Sequence, residues 1–306
     1  MIQGPTRRGV LMAGLGAALM PLSGWVNRTR ASVSTDLVIG VQLYMLRELL
    51  AQDFNGTLSA IARTGIHHVE FAGFYDHRAT DLAKALKTND LIAVSAHAVR
   101  AEMTDDELGA TIDFCAELGV RYICAAAPLM RHLQWPVVSM AQAIEAARKV
   151  TLDDIRESAD RFNHIGEKVQ AAGMQFAYHT HGMDFRRYGD TLGFDEMMQR
   201  TDPGRVAFEI DIGNAVSAGA DPIPYLQRFP DRFKLVHVKD WPQGTTWDNN
   251  AMPRSAPLGE GIIDWTRTLR ACTAAGIDTY FIEQESIPAP DVMAALRQDH
   301  EFLRSL

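Results

Sequence analysis

The chain is poor in cysteine and has no long uninterrupted apolar segment, and each shortage excludes a class of protein. Its 306 residues include three cysteines, Cys115, Cys124 and Cys272. This odd count, with each cysteine in an apolar helical or strand context, predicts buried free thiols rather than disulfides or a metal cluster. The apolar stretch 10–22 is glycine-rich and too short for a comfortable membrane span, so no stable span is predicted.

The chain also lacks clustered positive charge. Its formal net charge is −8, although the first 31 residues contain four arginines and no acidic residue. Without those four arginines, 26 basic residues face 38 acidic ones, and the basic residues are scattered. A nucleic acid is therefore not predicted as a partner, because a phosphate backbone is bound by clustered lysine and arginine.

Residues 1–36 are interpreted as a twin-arginine export signal and linker. Arg7 and Arg8 precede the apolar stretch, as in signals that export folded bacterial proteins. Val10 and Met12 depart from the usual Phe and Lys, and no clear A-x-A cleavage site follows. The expected location is periplasmic, with membrane tethering if the signal stays uncleaved. An ordinary basic start is the alternative.

From residue 37 to residue 306, short apolar runs alternate with amphipathic helical stretches eight times. The runs are 37–46, 67–74, 91–99, 121–128, 175–181, 206–213, 233–240 and 279–286. Apolar strands separated by helices predict parallel pairing with both faces buried. Eight such units predict a single α/β domain, the (β/α)8 or TIM barrel. A doubly wound sheet is the alternative, but no G-x-G-x-x-G turn follows the first run.

Carboxylate, imidazole and ammonium groups stand at the carboxyl ends of six predicted strands. They are Glu70, His97, His179, His181, Asp211, His237, Lys239, Glu283 and Glu285. The carboxyl-end face of such a barrel carries the active site, and charges within apolar strands are costly unless they are paired or bound to metal. The set predicts an active site, with structural polar networks as the alternative.

Strands six, seven and eight each end in a residue that can bind a metal ion. These residues are Asp211, His237 and Glu283. Oxygen and imidazole ligands suit one divalent ion such as Mn²⁺, Mg²⁺, Co²⁺ or Zn²⁺. A fourth ligand is expected from strand five, where His179 and His181 share one face. His181 is favoured because it is nearer the strand end, and Asp184 is the alternative. Each histidine taken singly also fits a core imidazole bonded to the backbone.

Six segments, taken in order, resemble the sugar phosphate isomerase/epimerase family with its xylose-isomerase-like barrel. They are "GVQLYMLREL", "AYHTHGMDF", "FEIDIGNAVSAGADP", "LVHVKD", "LGEGIIDW" and "FIEQES". The resemblance covers nearly all of 37–306. It implies a barrel that binds one divalent metal at its mouth and acts on sugars, inositols or related keto-polyols. The implied metal ligands are Asp211, His237 and Glu283, and the implied substrate contacts are Lys239, His97 and Glu70.

Strand five departs from the pattern that this resemblance implies. Epimerases of the family place one glutamate on strand five and another on strand eight, and the pair moves protons on opposite faces of the substrate. Here strand five reads "YHTH" and is followed by Asp184. An imidazole, His179, is therefore expected to act as base or acid, because its unperturbed pKa lies near neutrality. Glu283 and Lys239 are expected beside it as catalytic groups, and Asp184 among the substrate contacts.

The expected reaction begins with removal of a proton next to a ketone. The ion would chelate the ketone and a neighbouring hydroxyl, and an enediolate would form with Lys239 nearby. Isomerisation or epimerisation of a free sugar or keto-sugar is the first expectation. Dehydration or lyase chemistry on a keto-glycoside or keto-inositol is the alternative, as is a non-catalytic sugar-binding barrel. A nuclease with several metals is not expected of so acidic a chain. The oligomeric state stays open, with a homo-oligomer as one option.

Residues 241–261 are expected to form a long loop after strand seven. Trp241 and Trp247 would either stack on a sugar as part of a lid or pin the loop to the surface from a buried position. The motif "LGEGIIDW" is expected to end this loop and to start the next helix.

Overall fold

A computed structural model describes residues 37–133, 139–246 and 254–306. Eight parallel strands follow one another around a closed barrel, and β8 pairs with β1. The strands are β1 Val38–Gln42, β2 His68–Phe71, β3 Ile92–Val99, β4 Tyr122–Ala125, β5 Gln175–His179, β6 Val206–Asp211, β7 Phe233–Val238 and β8 Thr279–Ile282. The predicted (β/α)8 barrel is confirmed. The interpreted export signal and Trp247 lie outside the described residues.

Helices connect the barrel strands and form the outer layer. They are α1 Arg47–Gln52, α2 Phe54–Ala62, α3 Ala79–Thr88, α4 Asp105–Leu118, α5 Met140–Arg148, α6 Leu152–Ala171, α7 Gly193–Arg200, α8 Ile212–Ser217, α9 Ile223–Arg228, α10 Trp265–Ala274 and α11 Ala289–Ser305. Short 3₁₀ helices span Leu43–Leu46, Gly182–Phe185 and Pro230–Arg232, and the two-residue strands Arg187–Tyr188 and Thr191–Leu192 pair with each other.

The helical region after β4 consists of two helices, α5 and α6. Thr151 begins α6: its hydroxyl accepts the N–H of Asp154, and the Asp154 carboxylate accepts the N–H of Thr151. This reciprocal capping box satisfies backbone donors that would otherwise lack partners at a helix start. It fixes the break between α5 and α6.

An apolar layer closes the amino-terminal part of the barrel interior. It consists of Tyr122, Cys124, Ala177, Ala207, Leu235 and Phe281. Strand side chains alternate between faces, so the residue two positions later points inward as well. Four of these later residues are polar: His179, Glu209, His237 and Glu283. The interior therefore changes from apolar to polar within one layer of side chains, on the side of the carboxyl ends.

Two other expectations concern cysteine and membrane spans. Cys115, Cys124 and Cys272 are buried free thiols, as predicted. Among the helices of the described ranges, none combines the length and the apolar character that crossing a membrane requires.

Candidate active site

The polar side chains of the barrel interior lie at two levels. Strand pairing places His179 beside Glu209 and Asp211 beside His237. The lower level consists of Glu70, His97, His179, Glu209 and His237, and the upper level, nearer the mouth, of Asp211, Lys239, Glu283 and Glu285. Six of the eight strands, β2, β3 and β5 to β8, carry these groups within the strand or just after its end, so the barrel itself holds their positions.

The Lys239 ammonium lies at the centre of the upper level. Its Nζ is 3.0 Å from Asp211 Oδ2 and 2.6 Å from Glu283 Oε2, and it donates a hydrogen bond to Glu285. Burial alone lowers the pKa of the fully buried amine, but these carboxylates raise it well above its usual value. Lys239 therefore carries a positive charge that three carboxylates share.

His237 connects the two levels. Its Nδ1 lies 3.2 Å from Glu283 Oε2 above, and its Nε2 lies 2.6 Å from Glu70 Oε2 and 3.4 Å from Glu209 Oε2 below. Burial lowers the pKa of this imidazole, but Glu209 and Glu70 outweigh burial and raise it well above the usual value. Its ring stacks on that of His97, with the centroids 5.5 Å apart.

Glu209 joins two imidazoles on the lower level. Its Oε2 accepts hydrogen bonds from His97 Nε2 at 2.8 Å and from His179 Nδ1 at 3.0 Å. Burial lowers the pKa of both histidines. For His97 the nearby Glu70 and Glu209 reverse this and raise the pKa to about 10, whereas for His179 the neighbouring His237 adds to burial and keeps the pKa well below its usual value. One carboxylate oxygen thus contacts a cationic and a neutral imidazole.

The buried groups fit a divalent cation. Ligand atoms of Asp211, His237 and Glu283 all lie within 4.8 Å of one another. The two levels contain five carboxylates but one ammonium and two imidazoles with raised pKa, so full ionisation of the carboxylates would leave two negative charges in excess. Burial, and beyond it Glu283, also raise the pKa of Glu285 despite Lys239, as expected where positive charge is short. The carboxylates of Asp211, Glu283 and Glu285 already surround one cation, the Lys239 ammonium.

Strand five brings His179 closer to this ligand group than His181. His179 is buried, and its Nε2 lies 3.9 Å from Asp211 Oδ2. His181 is half-buried beyond the strand end, with its ring 4.7 Å from that of His179, and burial and Lys239 lower its pKa to about 3. The roles assigned to the two histidines stay predictions.

The structure does not bring the Asp184 carboxylate to the cluster. Asp184 accepts hydrogen bonds from the Tyr178 hydroxyl and from the backbone N–H of His181, both at 2.6 Å. Tyr178 alternates with the inward His179 and belongs to the core between barrel and helices. Burial raises the pKa of Asp184 to about 7. The contacts of Asp184 are thus those of a cap that holds residues 182–185.

Trp241 lies against the lysine of the upper level. Its ring is buried, with its centroid 5.9 Å from Lys239 Nζ. The adjacent Asp240 is fully buried and holds the following loop through hydrogen bonds from five donors. The described part of the loop is therefore attached to the barrel, and Trp241 covers Lys239.

Sequence reasoning missed two inward groups, Glu209 and Gln42. Glu209 lies two residues before Asp211 on β6, so strand alternation alone would place it on the same inward face. Gln42 ends β1 and donates a hydrogen bond of 2.7 Å to Glu70 Oε2. Both lie inside apolar runs, Gln42 in 37–46 and Glu209 in 206–213, where a single polar residue is easily passed over.

Comparisons with known proteins give a family and several relatives. Residues 58–306 match the family described as xylose isomerase-like TIM barrel. The chain is 30% identical over 151 residues to the inosose dehydratase of Lacticaseibacillus casei. This match covers 45% of this chain and 50% of that protein. The chain thus spans about half the length of that relative. It is 25% identical over 262 residues to the inosose dehydratase of Geobacillus thermodenitrificans, covering 77% of this chain and 83% of that protein.

Solved structures share the fold. A sugar phosphate isomerase/epimerase from Parabacteroides distasonis superposes with a TM-score of 0.69 at 23% identity, over 88% of this chain and 98% of that one. The IolI protein with a bound zinc atom superposes with a TM-score of 0.64 at 16% identity, over 88% of this chain and 98% of that one. At these identities the likeness concerns the barrel.

Proposed function

The chain belongs to the xylose isomerase-like TIM barrel family, and from this premise we propose that it is a metal-dependent lyase of a keto-polyol or keto-sugar. It would remove a proton next to the ketone and expel a hydroxyl group, or the oxygen-linked aglycone of a keto-glycoside, from the following carbon, with a C=C bond formed between the two carbons. The observation that carries the proposal is the convergence of Asp211, His237 and Glu283 at the barrel mouth, with the His179 imidazole 3.9 Å from Asp211.

Asp211, His237 and Glu283 would hold the divalent ion. Their oxygen and nitrogen donors suit Mn²⁺, Co²⁺, Zn²⁺ or Mg²⁺. When bound, such an ion polarises a ketone and acidifies the neighbouring C–H. The family relationship and the excess of buried negative charge both support this cofactor.

His179 would accept the proton. Its Nδ1 is hydrogen-bonded to Glu209, which leaves Nε2 on the side of Asp211 and the mouth. An imidazole fixed by a carboxylate at one nitrogen presents the other as a base. Lys239 would donate a hydrogen bond to the oxygen on which negative charge develops. Its ammonium contacts Asp211 and Glu283, two of the residues that would hold the ion, and would therefore lie beside the bound substrate.

His97 would protonate the leaving group. Its ring centroid is 4.9 Å from that of His179, and both imidazoles contact Glu209 Oε2. In a dehydration, the C–H proton would pass to His179, the C–O bond on the next carbon would break, and a proton from His97 would complete the departing water. The two relatives named inosose dehydratase support elimination over isomerisation or epimerisation.

The charges of the site favour an unphosphorylated substrate. Among the described residues of the two levels, Lys239 and the imidazoles with raised pKa each contact at least one carboxylate. A phosphate dianion would have to enter a region that already holds excess negative charge. A neutral keto-inositol, keto-sugar or keto-glycoside fits this environment.

Product analysis in D₂O tests the proposal. The full chain loaded with Mn²⁺, Co²⁺ or Zn²⁺ would be incubated with inososes, 3-keto-glycosides and free ketoses, and products followed by NMR. We expect release of water or of the aglycone alcohol, and loss of this activity in Asp211→Asn. An isomer or epimer formed without elimination would replace the lyase assignment by the first expectation from the sequence. Absence of both turnover and deuterium exchange with every substrate would refute the proposal.

A further inference from the structure

A second group of possible metal ligands lies deeper in the barrel than the group at the mouth. Glu70, His97, Cys124 and Glu209 come from four different strands, and one ligand atom of each lies within 4.8 Å of the others. We propose that these four side chains bind a second divalent ion of the zinc class. This inner site shares no residue with Asp211, His237 and Glu283. It includes His97 and Glu209, so His97 would donate a proton in the proposed reaction only in a chain whose inner site is empty.

The spacing of the four donors suits a tetrahedral ion after small side-chain movements. Bonds of about 2.0–2.3 Å to zinc place ligand atoms roughly 3.3–3.8 Å apart. His97 Nε2 already lies 2.8 Å from Glu209 Oε2 and 3.3 Å from Glu70 Oε2. Cys124 contacts Ser95 Oγ at 3.2 Å from the adjacent strand. An ion at the centre would replace the direct contacts between these ligand atoms by bonds from each atom to the ion, and the distances between the ligand atoms would change little.

Two buried oxygen atoms give independent support. Glu70 and Glu209 are fully buried, and within the described ranges the Oε1 atom of neither accepts a hydrogen bond. A buried carboxylate oxygen without a donor costs free energy, because it has lost its water and gained nothing in return. A cation bound by these two glutamates supplies the missing interaction for both at once.

The donor chemistry separates the inner site from the mouth. A thiolate and an imidazole with two carboxylates select Zn²⁺ or Co²⁺ over Mg²⁺ or Mn²⁺, because the thiolate is a soft ligand. The mouth group contains oxygen and imidazole donors alone. The inner ion would therefore be recognisable by its bond to sulfur.

Cobalt substitution tests the inner site directly. The purified full chain would be stripped of metal with a chelator and titrated with Co²⁺, with bound metal counted by elemental analysis. Cobalt bound to a thiolate gives a sulfur-to-cobalt charge-transfer absorption in the near ultraviolet, which oxygen and nitrogen ligands do not give. We expect two ions per chain and this absorption band.

Variants assign the band to its residue. Cys124→Ala and Cys124→Ser should lose the band and bind the inner ion at least 10-fold more weakly, since even loss of a residue behind a ligand commonly costs about 10- to 100-fold. Cys272→Ala is the matched control, because Cys272 is equally buried and lies outside every group of neighbouring ligands in the described ranges. It should keep the band. Circular dichroism would verify that each variant is folded.

The outcomes distinguish the inner site from the mouth site. Asp211→Asn should remove one ion and leave the thiolate band. A wild-type chain that shows the band but binds one ion would refute the mouth site and leave the inner site standing. A folded wild-type chain without the band, whether it binds one ion or two, would overturn the inner site. The four side chains would then form a hydrogen-bonded network without metal.

Discussion

Replacing Asp240 by alanine should detach the loop that follows β7 and leave the barrel folded. The fully buried Asp240 carboxylate accepts hydrogen bonds from groups at both ends of this loop. The donors are the backbone N–H groups of Trp241, Gly259, Ile262 and Ile263 and the Trp265 indole N–H. A single side chain therefore connects the end of β7, the described part of the loop and the start of α10.

The cost of this substitution is smaller than the sum of its hydrogen bonds. Each bond to an ionised acceptor contributes about 1.5–3 kcal/mol, so a sum over five would exceed the stability of many whole domains. The backbone donors regain water once the loop opens, so the loss is limited to the free energy of local opening. We expect about 3–5 kcal/mol, the range for removing one partner of a buried charged network.

Urea unfolding followed by circular dichroism would measure the loss, and limited proteolysis would locate it within 241–263. Asp264→Ala is the control, because Asp264 is an exposed helix cap whose carboxylate accepts the Arg267 N–H, and such caps contribute about 1 kcal/mol. If Asp240→Ala costs no more than Asp264→Ala and cleavage in the loop is unchanged, Asp240 does not hold the loop.

Three other predictions test separate features of the chain. His179→Ala should keep the metal and lower the rate about 10²–10⁴-fold as a lost base, whereas His181→Ala should weaken metal binding at least ~10-fold; metal loss in the first variant alone would exchange the two roles. Lysines in place of Arg7 and Arg8 should retain the protein in the cytoplasm on fractionation, and an unchanged distribution would exclude the export signal. Burial raises the pKa of Asp299 to about 6, so its protonated form stabilises the fold below about pH 4 and this contribution disappears as the pH rises to about 6. In Asp299→Asn the free energy of unfolding, measured with urea at each pH, should no longer show this decrease. The same pH dependence in the variant and the wild-type chain would contradict the reasoning.

The barrel was predictable because its signal repeats along the chain. Eight apolar runs, each followed by a helical stretch, leave few arrangements that bury both faces of every strand. Local breaks were harder to predict, as the two helices α5 and α6 show. The capping sequence Thr151 to Asp154 was present in the sequence, but the amphipathic pattern on both sides of it is continuous enough to suggest one helix.

Within the site, position along a strand decided what the sequence could reveal. Asp211, His237 and Glu283 interrupt or end apolar runs, so their inward direction and their proximity followed from the barrel. Asp184 comes after β5 has ended, where strand alternation no longer applies. The 3₁₀ helix Gly182–Phe185 directs its carboxylate to the Tyr178 hydroxyl, and nothing in the residue type predicts that direction.

Strand five also bears on which reaction suits the site. Exchange of a proton between the two faces of one carbon requires acid and base groups on opposite sides of the substrate, the task of the two glutamates in the epimerases that the sequence resembles. Here β3 and β5, separated by β4 alone, carry His97 and His179, whose rings lie 4.9 Å apart on the same Glu209 oxygen. Groups so placed would meet a substrate from one side. Removal of a proton from one carbon and protonation of the oxygen on the next, both on one face, is the geometry of a syn elimination. The replacement of a glutamate by imidazoles on β5 thus accords with the proposed lyase, and a product formed by anti elimination would require a proton donor other than His97.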